Sequence, residues 1–399
     1  MAEASERINA PISTQELERR WAAVRAAMAE RRIDVLLMQA NNDFMGGYVK
    51  YFTDLPATNG YPVTVVFPQD DRMTVVGQGA FGLARELPPE GDGLRRGVAK
   101  FMGTPSYASV PYSAEYDAQL AGKSLERYSG ATIGLRGTAA MSFALVDYFK
   151  RKFPQAKFVD ASDVVDRIKA VKSEEEIALM RRTAAMQDAA MDAVFKAIKP
   201  GMRDLEVAAI AEHAGHAHGS EQGLFLCASG PVGTAAVFGN RHLQNRTIRE
   251  GDTFTLLIEN NGAGGFYTEL GRTCVLGRAS QEMKDEFAFV LEAQKFTAAL
   301  LKPGASCKEI WEKYNGFMRE HGRPEEKRLH CHSQGYDMVE RPLVRFDETL
   351  PVGKSMVFAC HPTYVTERTY SWACDNFLVS GSGIAERLHK FPQKIFELG

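Results

Sequence analysis

KPGMRDLEVAAIAEHAGHAHG spans residues 199–219, and KPGASCKEIWEKYNGFMREHG spans residues 302–322. Both open on Lys-Pro-Gly, carry a Glu followed by Val or Ile, and close on His-Gly, at an offset of 103 residues. The apolar runs beyond them repeat too. GDTFTLLIE (251–259) has the pattern of GKSMVFACH (353–361), at an offset of 102. Short apolar runs read as strands, and the 3.6-residue spacing between them as helices. Two copies of helix–helix–strand predict a domain with internal pseudo-twofold symmetry and a site between its halves. The repeat also puts Glu259 and His361 in equivalent places.

Working outward, Ser173 and Glu176 form an S-x-x-E capping box. Ile177, Met180, Ala184, Met191, Val194 and Ile198 follow at helical spacing, so a long amphipathic helix runs up to the first Lys-Pro-Gly. The stretch before this helix reads as mixed α/β. Glu16–Arg31 is a helix with Trp21, Val24 and Met28 on one face; runs at 34–39, 61–68, 73–77 and 131–136 are strands; Ser142–Phe153 is a helix. The expected fold is α+β, with an α/β domain over residues 1–165 and the pseudo-twofold domain over 166–399.

Bulk properties narrow the function. The chain has 399 residues, is 45% hydrophobic and 25% charged, and carries a net charge of −2. Without a basic tract, nucleic acid is not an expected partner. No apolar run approaches the ~20 residues of a membrane helix, and the N-terminus shows no export signal. Six scattered cysteines without C-x-x-C pairs suit a reducing cytoplasm. All six cysteines and all nine histidines lie between His213 and His389, so the second domain is where acid–base, nucleophilic or metal chemistry is expected.

Several stretches resemble the pita-bread family of methionine aminopeptidase, aminopeptidase P, prolidase and creatinase. HSQGYDMVERP (332–342) is similar to its His-Gly-x-Gly…His-Glu stretch, with HSQG nearer to the His-Ser-x-Gly of creatinase. GFYTELGRT (265–273) resembles its Gly-Tyr…Asp-x-x-Arg-Thr strand, and PVGKSMVFACHP (351–362) its Pro-Gly-Met-Val-Phe-x-x-Glu-Pro. IKAVKSEEEIALMRR resembles the link that joins a creatinase/prolidase-type N-terminal domain to the catalytic domain. The resemblance covers nearly the whole chain. It implies a homodimeric enzyme in which a partner's N-terminal domain covers the site.

The metallopeptidases of that family hold two metal ions with two Asp, one His and two Glu. Here the matching positions are Ile258 (with Glu259 one step on), Glu269, His332, His361 and Cys374, and Val339 replaces a second catalytic histidine. The carboxylates that offset two hard cations are depleted. Creatinase and the ectoine hydrolases work without metal, and the chain resembles them in this loss. It departs from creatinase at Gly271 and Cys374, where creatinase carries glutamates that grip its substrate, which argues against creatine.

The candidate catalytic residues are therefore His242, Glu269, His332, His361 and Cys374. Glu269 would be an acid–base or a carboxylate nucleophile. His332 would donate to an oxyanion or orient a carbonyl. His242 would shuttle a proton near pH 7, with Asn240 competing for its place in the loop. Cys374 would need a lowered pKa to act as a thiolate. Glu259, Tyr267, Arg272 and Arg341 are candidate substrate contacts. His213, His216 and His218 look like a metal cluster but read better as a helix C-terminus.

The expected function is metal-independent hydrolysis of a C–N bond in a small polar amide, amidine or ureido compound, with no cofactor. The alternatives are a single Zn or Fe held by Glu259, Glu269, His332, His361 and Cys374 for hydrolysis or elimination, a prolidase-like peptidase, and a binding protein without catalysis.

Overall fold

A computed structural model describes residues 8–57, 59–381, 383 and 385–399. The chain forms two compact units, Met1–Lys169 and Ala170–Gly399. In the first, helix α1 (Thr14–Glu30) starts where the Ser13 side chain accepts a hydrogen bond from Glu16 N, and it buries Leu17, Trp21, Val24 and Met28. This is an ordinary N-cap followed by an apolar stripe. Strands β1 (Val35–Ala40), β2 (Val63–Pro68), β3 (Met73–Gln78), β4 (Leu83–Glu86), β5 (Val98–Thr104), β6 (Thr132–Arg136) and β7 (Lys157–Asp160) make one sheet in the order β4-β5-β3-β2-β1-β6-β7. Strands β1, β3, β5, β6 and β7 run parallel; β2 and β4 oppose them. Helices α2 (Gly47–Thr53), α3 (Tyr116–Leu125), α4 (Phe143–Lys152) and α5 (Ser162–Ala170) complete this unit.

The second unit shows the repeat. Helices α6 (Glu174–Ala197) and α7 (Asp204–Ala217) precede β8 (Gly223–Pro231), β9 (Asp252–Asn261) and β10 (Tyr267–Val275). Helices α8 (Gln281–Leu300) and α9 (Cys307–Glu320) precede β11 (Cys331–Ser333), β12 (Glu340–Leu343), β13 (Val357–Cys360), a small hairpin β14 (Thr363–Val365) and β15 (Tyr370–Trp372), and then β16 (Asp375–Val379). Strands β17 (Ala385–Arg387) and β18 (Phe396–Glu397) edge the two half-sheets, β18-β10-β9-β8 and β12-β11-β13-β16-β17. The Ser173–Glu176 capping box forms as the sequence reading expects. Among the described residues, no helix is long and apolar enough to cross a membrane.

The repeated His-Gly has a local cause. In both copies the helix ends on a histidine, His218 or His321, whose Nδ1 donates to the carbonyl four residues back, Ala214 or Phe317, at 2.8 Å. The glycine that follows, Gly219 or Gly322, takes positive φ, which a side chain would resist. His216 turns instead to the Ser220 carbonyl. The H-x-x-H-x-H stretch is thus helix-end chemistry.

The two half-sheets meet at Gly271 and Cys374, which form an antiparallel bridge. A β-carbon on Gly271 would lie 2.2 Å from the Trp372 ring, so no side chain fits there. The next residue on each strand locks the seam. Arg272 and Asp375 are both fully buried and paired, with Nη2 to Oδ1 at 2.7 Å. The remaining Arg272 donors go to the carbonyls of Gly271, Cys374, Phe391 and Pro392. Arg272, a candidate substrate contact from sequence, has its hydrogens committed to the frame. Burial alone would raise the Asp375 carboxyl; Arg272, with His389 and Arg387, outweighs it and holds the group below the ordinary carboxylate value.

Removing one partner of a buried pair strands the other charge. Asp375→Asn should therefore lose ~3–5 kcal/mol in a denaturant titration. A carboxyl with a depressed native pKa stabilises at neutral pH, and that contribution fades as pH falls through the carboxylate range. Acidification should accordingly narrow the gap between the variant and the parent.

Candidate functional site

The site gathers on the seam. Glu259 (β9) and Glu269 (β10) are directly opposed across an antiparallel ladder. In the other half, Cys360 opposes Asp375, so His361 and Cys374 lie one step beyond the last ladder pair. The two copies thus contribute matching cross-strand pairs. Glu269, His332 and His361, all buried, have ligand-type atoms within 4.8 Å of one another. His332 Nε2 is 3.6 Å from Glu269 Oε2, and the two imidazole centroids are 5.2 Å apart.

Backbone and amide groups orient these side chains. His332 Nδ1 lies 3.0 Å from the Ser333 carbonyl. A carbonyl only accepts, so Nδ1 carries a hydrogen, and Nε2 is the nitrogen that faces Glu269. Asn376 Oδ1 accepts from Glu269 N at 2.6 Å, and Asn376 Nδ2 donates to Gln334 Oε1 at 2.7 Å. Gln334 Nε2 in turn donates to Glu259 Oε1 at 3.0 Å and to the Met338 carbonyl. Each amide is fixed at both ends, and the run ties the Glu259 carboxyl to the Glu269 backbone.

The electrostatics separate the two glutamates. Burial and the adjacent Glu269 push the Glu259 carboxyl well above its ordinary range, against the pull of Arg328 and Gln334. For Glu269 burial also opposes ionisation, but His361 and His332 overcome it and hold the group low. His361 is lowered by burial despite the attraction of Glu269. The Cys374 thiol is driven well up by burial, Glu269 and Asp375. Its Sγ–H donates to the Glu269 carbonyl at 3.5 Å. Cys374 is therefore a neutral wall and brace, not a thiolate.

The other candidates from sequence lie in different settings. His242 is exposed, in a short 3-10 turn over Arg241–Leu243, outside the buried cluster. Tyr267 is buried, and its hydroxyl accepts from Gln222 Nε2 at 2.8 Å. Arg341 is held by Glu348, with Nη2 to Oε1 at 2.6 Å. Sequence reasoning missed Gln334, Asn376 and Arg328. Gln334 sits inside the quoted HSQG and could have been found by asking what holds a buried carboxyl. Arg328 is exposed, yet its charge reaches Glu259, His361 and Tyr370; nothing local in the sequence marks it.

The donor set suits one ion and not two. One carboxylate with two imidazoles is a familiar single-ion set for Zn or Fe(II). A pair of hard cations would need bridging carboxylates, where this chain has the apolar Ile258, the neutral His361 and the protonated Cys374.

Residues 178–386 match the model of metallopeptidase family M24, and residues 20–171 match the creatinase/prolidase N-terminal domain. The Xaa-Pro dipeptidase of Pyrococcus furiosus is 28% identical over 277 residues, covering 66% of this chain and 75% of the relative. An uncharacterised hydrolase/peptidase of Sinorhizobium fredii is 27% identical over 334 residues, covering 80% of each. The X-Pro aminopeptidase of Thermotoga maritima superposes with a TM-score of 0.78 at 20% identity, over 95% of this chain and 99% of that one. The prolidase of Pyrococcus horikoshii gives 0.73 at 20% identity, over 94% and 99%. These structures share the fold. The expectation of a metal-independent enzyme is overturned here. The family matched is one of metallopeptidases, and three buried ligand-type side chains converge at positions the single-ion alternative had named. The chain is a hydrolase of metallopeptidase family M24, built on the pita-bread fold and preceded by a creatinase/prolidase N-terminal domain.

Proposed function

We propose that this chain cleaves the C–N bond of a short peptide or peptide-like amide with the help of one divalent ion held by Glu269, His332 and His361. The observation that carries the reading is the convergence of those three donors within 4.8 Å on the seam between the two copies. The similarity to the Xaa-Pro dipeptidase of Pyrococcus furiosus supports dipeptides as the first substrate class to try. The depleted carboxylates keep ureido, amidine and cyclic amide compounds in the same screen.

When bound, such an ion polarises the amide carbonyl and favours ionisation of water. Glu269 supplies the anionic donor, and His332 and His361 supply neutral ones. Glu259 lies directly across the ladder from Glu269, with Oε1 fixed by Gln334. We assign it the proton traffic. As the water oxygen bonds to the carbonyl carbon and the C–N bond breaks, the Glu259 carboxyl protonates the leaving nitrogen and recovers a proton from the water. Arg328 offers a cation for the terminal carboxylate of a short peptide. His242 is kept as a proposed proton shuttle, and Tyr267 and Arg341 as proposed substrate contacts; a homodimeric assembly is proposed by family resemblance, and light scattering tests it.

The test begins with untagged, chelated protein titrated with Zn²⁺, Mn²⁺, Fe²⁺ or Co²⁺ and assayed by elemental mass spectrometry. One ion per chain is expected. His332→Ala and His361→Ala should each weaken binding by more than the ~10–100-fold typical of losing an outer-shell partner. Two tightly held ions per chain, or none, would sink the single-ion reading.

Glu259→Gln should keep the ion and lose ~10²–10⁴-fold in turnover on any substrate found. Cys374→Ser should keep both ion and turnover, and native Cys374 should resist thiol reagents until the protein unfolds. An active Glu259→Gln enzyme would remove Glu259 from the mechanism.

A further inference from the structure

A small cavity of about 70 Å³ opens in the first unit. Its lining includes Gln39 and Asn41 at the end of β1, Ser106 just after β5, and Ala140 and Ser142 beyond β6. These are the carboxyl ends of parallel strands, the usual ligand side of an α/β sheet. Its floor is Asp117 on α3, a carboxylate only 1% exposed. Asp117 Oδ1 has no hydrogen-bond partner, and Oδ2 receives a long 3.4 Å contact from Gln39 Nε2.

The neighbouring groups do not neutralise it. Gln39 is already committed, with Nε2 donating to Thr64 Oγ1 at 2.9 Å and Oε1 accepting from Ser142 N at 3.3 Å. The single Ser106 hydrogen serves either the Ser113 carbonyl, at 3.1 Å, or Asp117, and its oxygen keeps lone pairs that accept. Among the described lining residues there is no Lys, Arg or His. The floor is therefore a buried carboxyl with one oxygen unpartnered and no cation in the lining, an arrangement that costs free energy until a donor arrives.

Two partly exposed aromatic residues are chain neighbours of lining residues. Tyr61 precedes the lining residue Pro62, and Tyr107 sits between the lining residues Ser106 and Ala108. They are 40% and 39% exposed, with ring centroids 6.1 Å apart. A buried carboxylate with no cation beside it, in a cavity, is the chemistry that recognises an organic cation, and aromatic faces nearby add to it. A divalent metal ion fits poorly, because one carboxylate and one hydroxyl fall far short of the six to eight oxygens that Mg²⁺ or Ca²⁺ requires.

We propose that this pocket binds the ammonium group of a small primary amine, with Asp117 Oδ1 and Ser106 Oγ accepting its hydrogens and Tyr61 and Tyr107 flanking its carbon chain. The cavity has room for only a few heavy atoms, so the chain of the amine leaves through the entrance. Burial lifts the Asp117 carboxyl to about 7, with Ser106 pulling it back, and a bound ammonium would hold it ionised. The proposal is independent of the metal cluster and of the reaction assigned to it.

The test titrates n-butylammonium chloride into the full-length ¹⁵N-labelled chain and follows the Gln39 side-chain amide and the Ser142 backbone amide by NMR. Saturable shifts in the millimolar range are expected, the ceiling for so small a ligand. n-Butanol, of similar shape but uncharged, should give none. Asp117→Asn should abolish saturation, and Tyr107→Ala should weaken it several-fold. Ala140 is exposed at the entrance, so Ala140→Trp should block the pocket with Asp117 intact, which keeps the test decisive if Asp117→Asn fails to fold. Non-saturating shifts, equal shifts with n-butanol, or saturation that survives Asp117→Asn or Ala140→Trp would overturn the proposal.

Discussion

The Arg272–Asp375 pair is the constraint on which the second unit turns. Each residue comes from a different copy of the repeat, each is fully buried, and each is adjacent in sequence to a bridge residue at the seam. An arginine without access to water must spend every donor, and this one does so on Asp375 and four carbonyls. Those carbonyls belong to the segments that carry Cys374 and the C-terminal crossing near Phe391. The pair therefore fixes the distance between β10 and β16, and with it the separation of Glu269 from His361.

That fixed seam explains how two glutamates one ladder rung apart come to differ. Antiparallel partners lie close enough for like charges to repel. The imidazoles sit on the Glu269 side, so Glu269 keeps its charge and Glu259 gives way. Separated proton affinities in a buried carboxyl pair are what divide acid from base roles in many hydrolytic sites. Here the division follows from which of two strands in the first copy faces the histidines of the second.

Much of this was legible in the chain. The repeat could be read because its determinants are local: a helix-ending histidine and glycine, a capping box, and strands bounded by turns. Glu269, His332 and His361 could be listed because they occupy positions that the family uses for ligands. What the sequence could not convey was convergence. Counting lost carboxylates argued against two ions and favoured a metal-independent reading over a single ion, whereas the surviving donors lie within reach of one another. Arg272 looked available for substrate because its buried partner lies 103 positions away. Gly271 marked a departure from creatinase, but only the packing shows the Trp372 ring that excludes a side chain. Gln334, Asn376 and Arg328 act across elements, where no spacing rule reaches.

The placement of the donors has a consequence for how the unit holds together. Glu269 comes from the first copy, and His332 and His361 from the second. Neither half can assemble the cluster alone. Any species that occupies it reinforces the closure of one half upon the other, and its binding free energy is added to the cohesion of the whole unit. Such a domain resists coming apart into its ancestral halves for as long as its site is filled. A duplication whose copies could otherwise drift apart is thereby kept as one cooperative body.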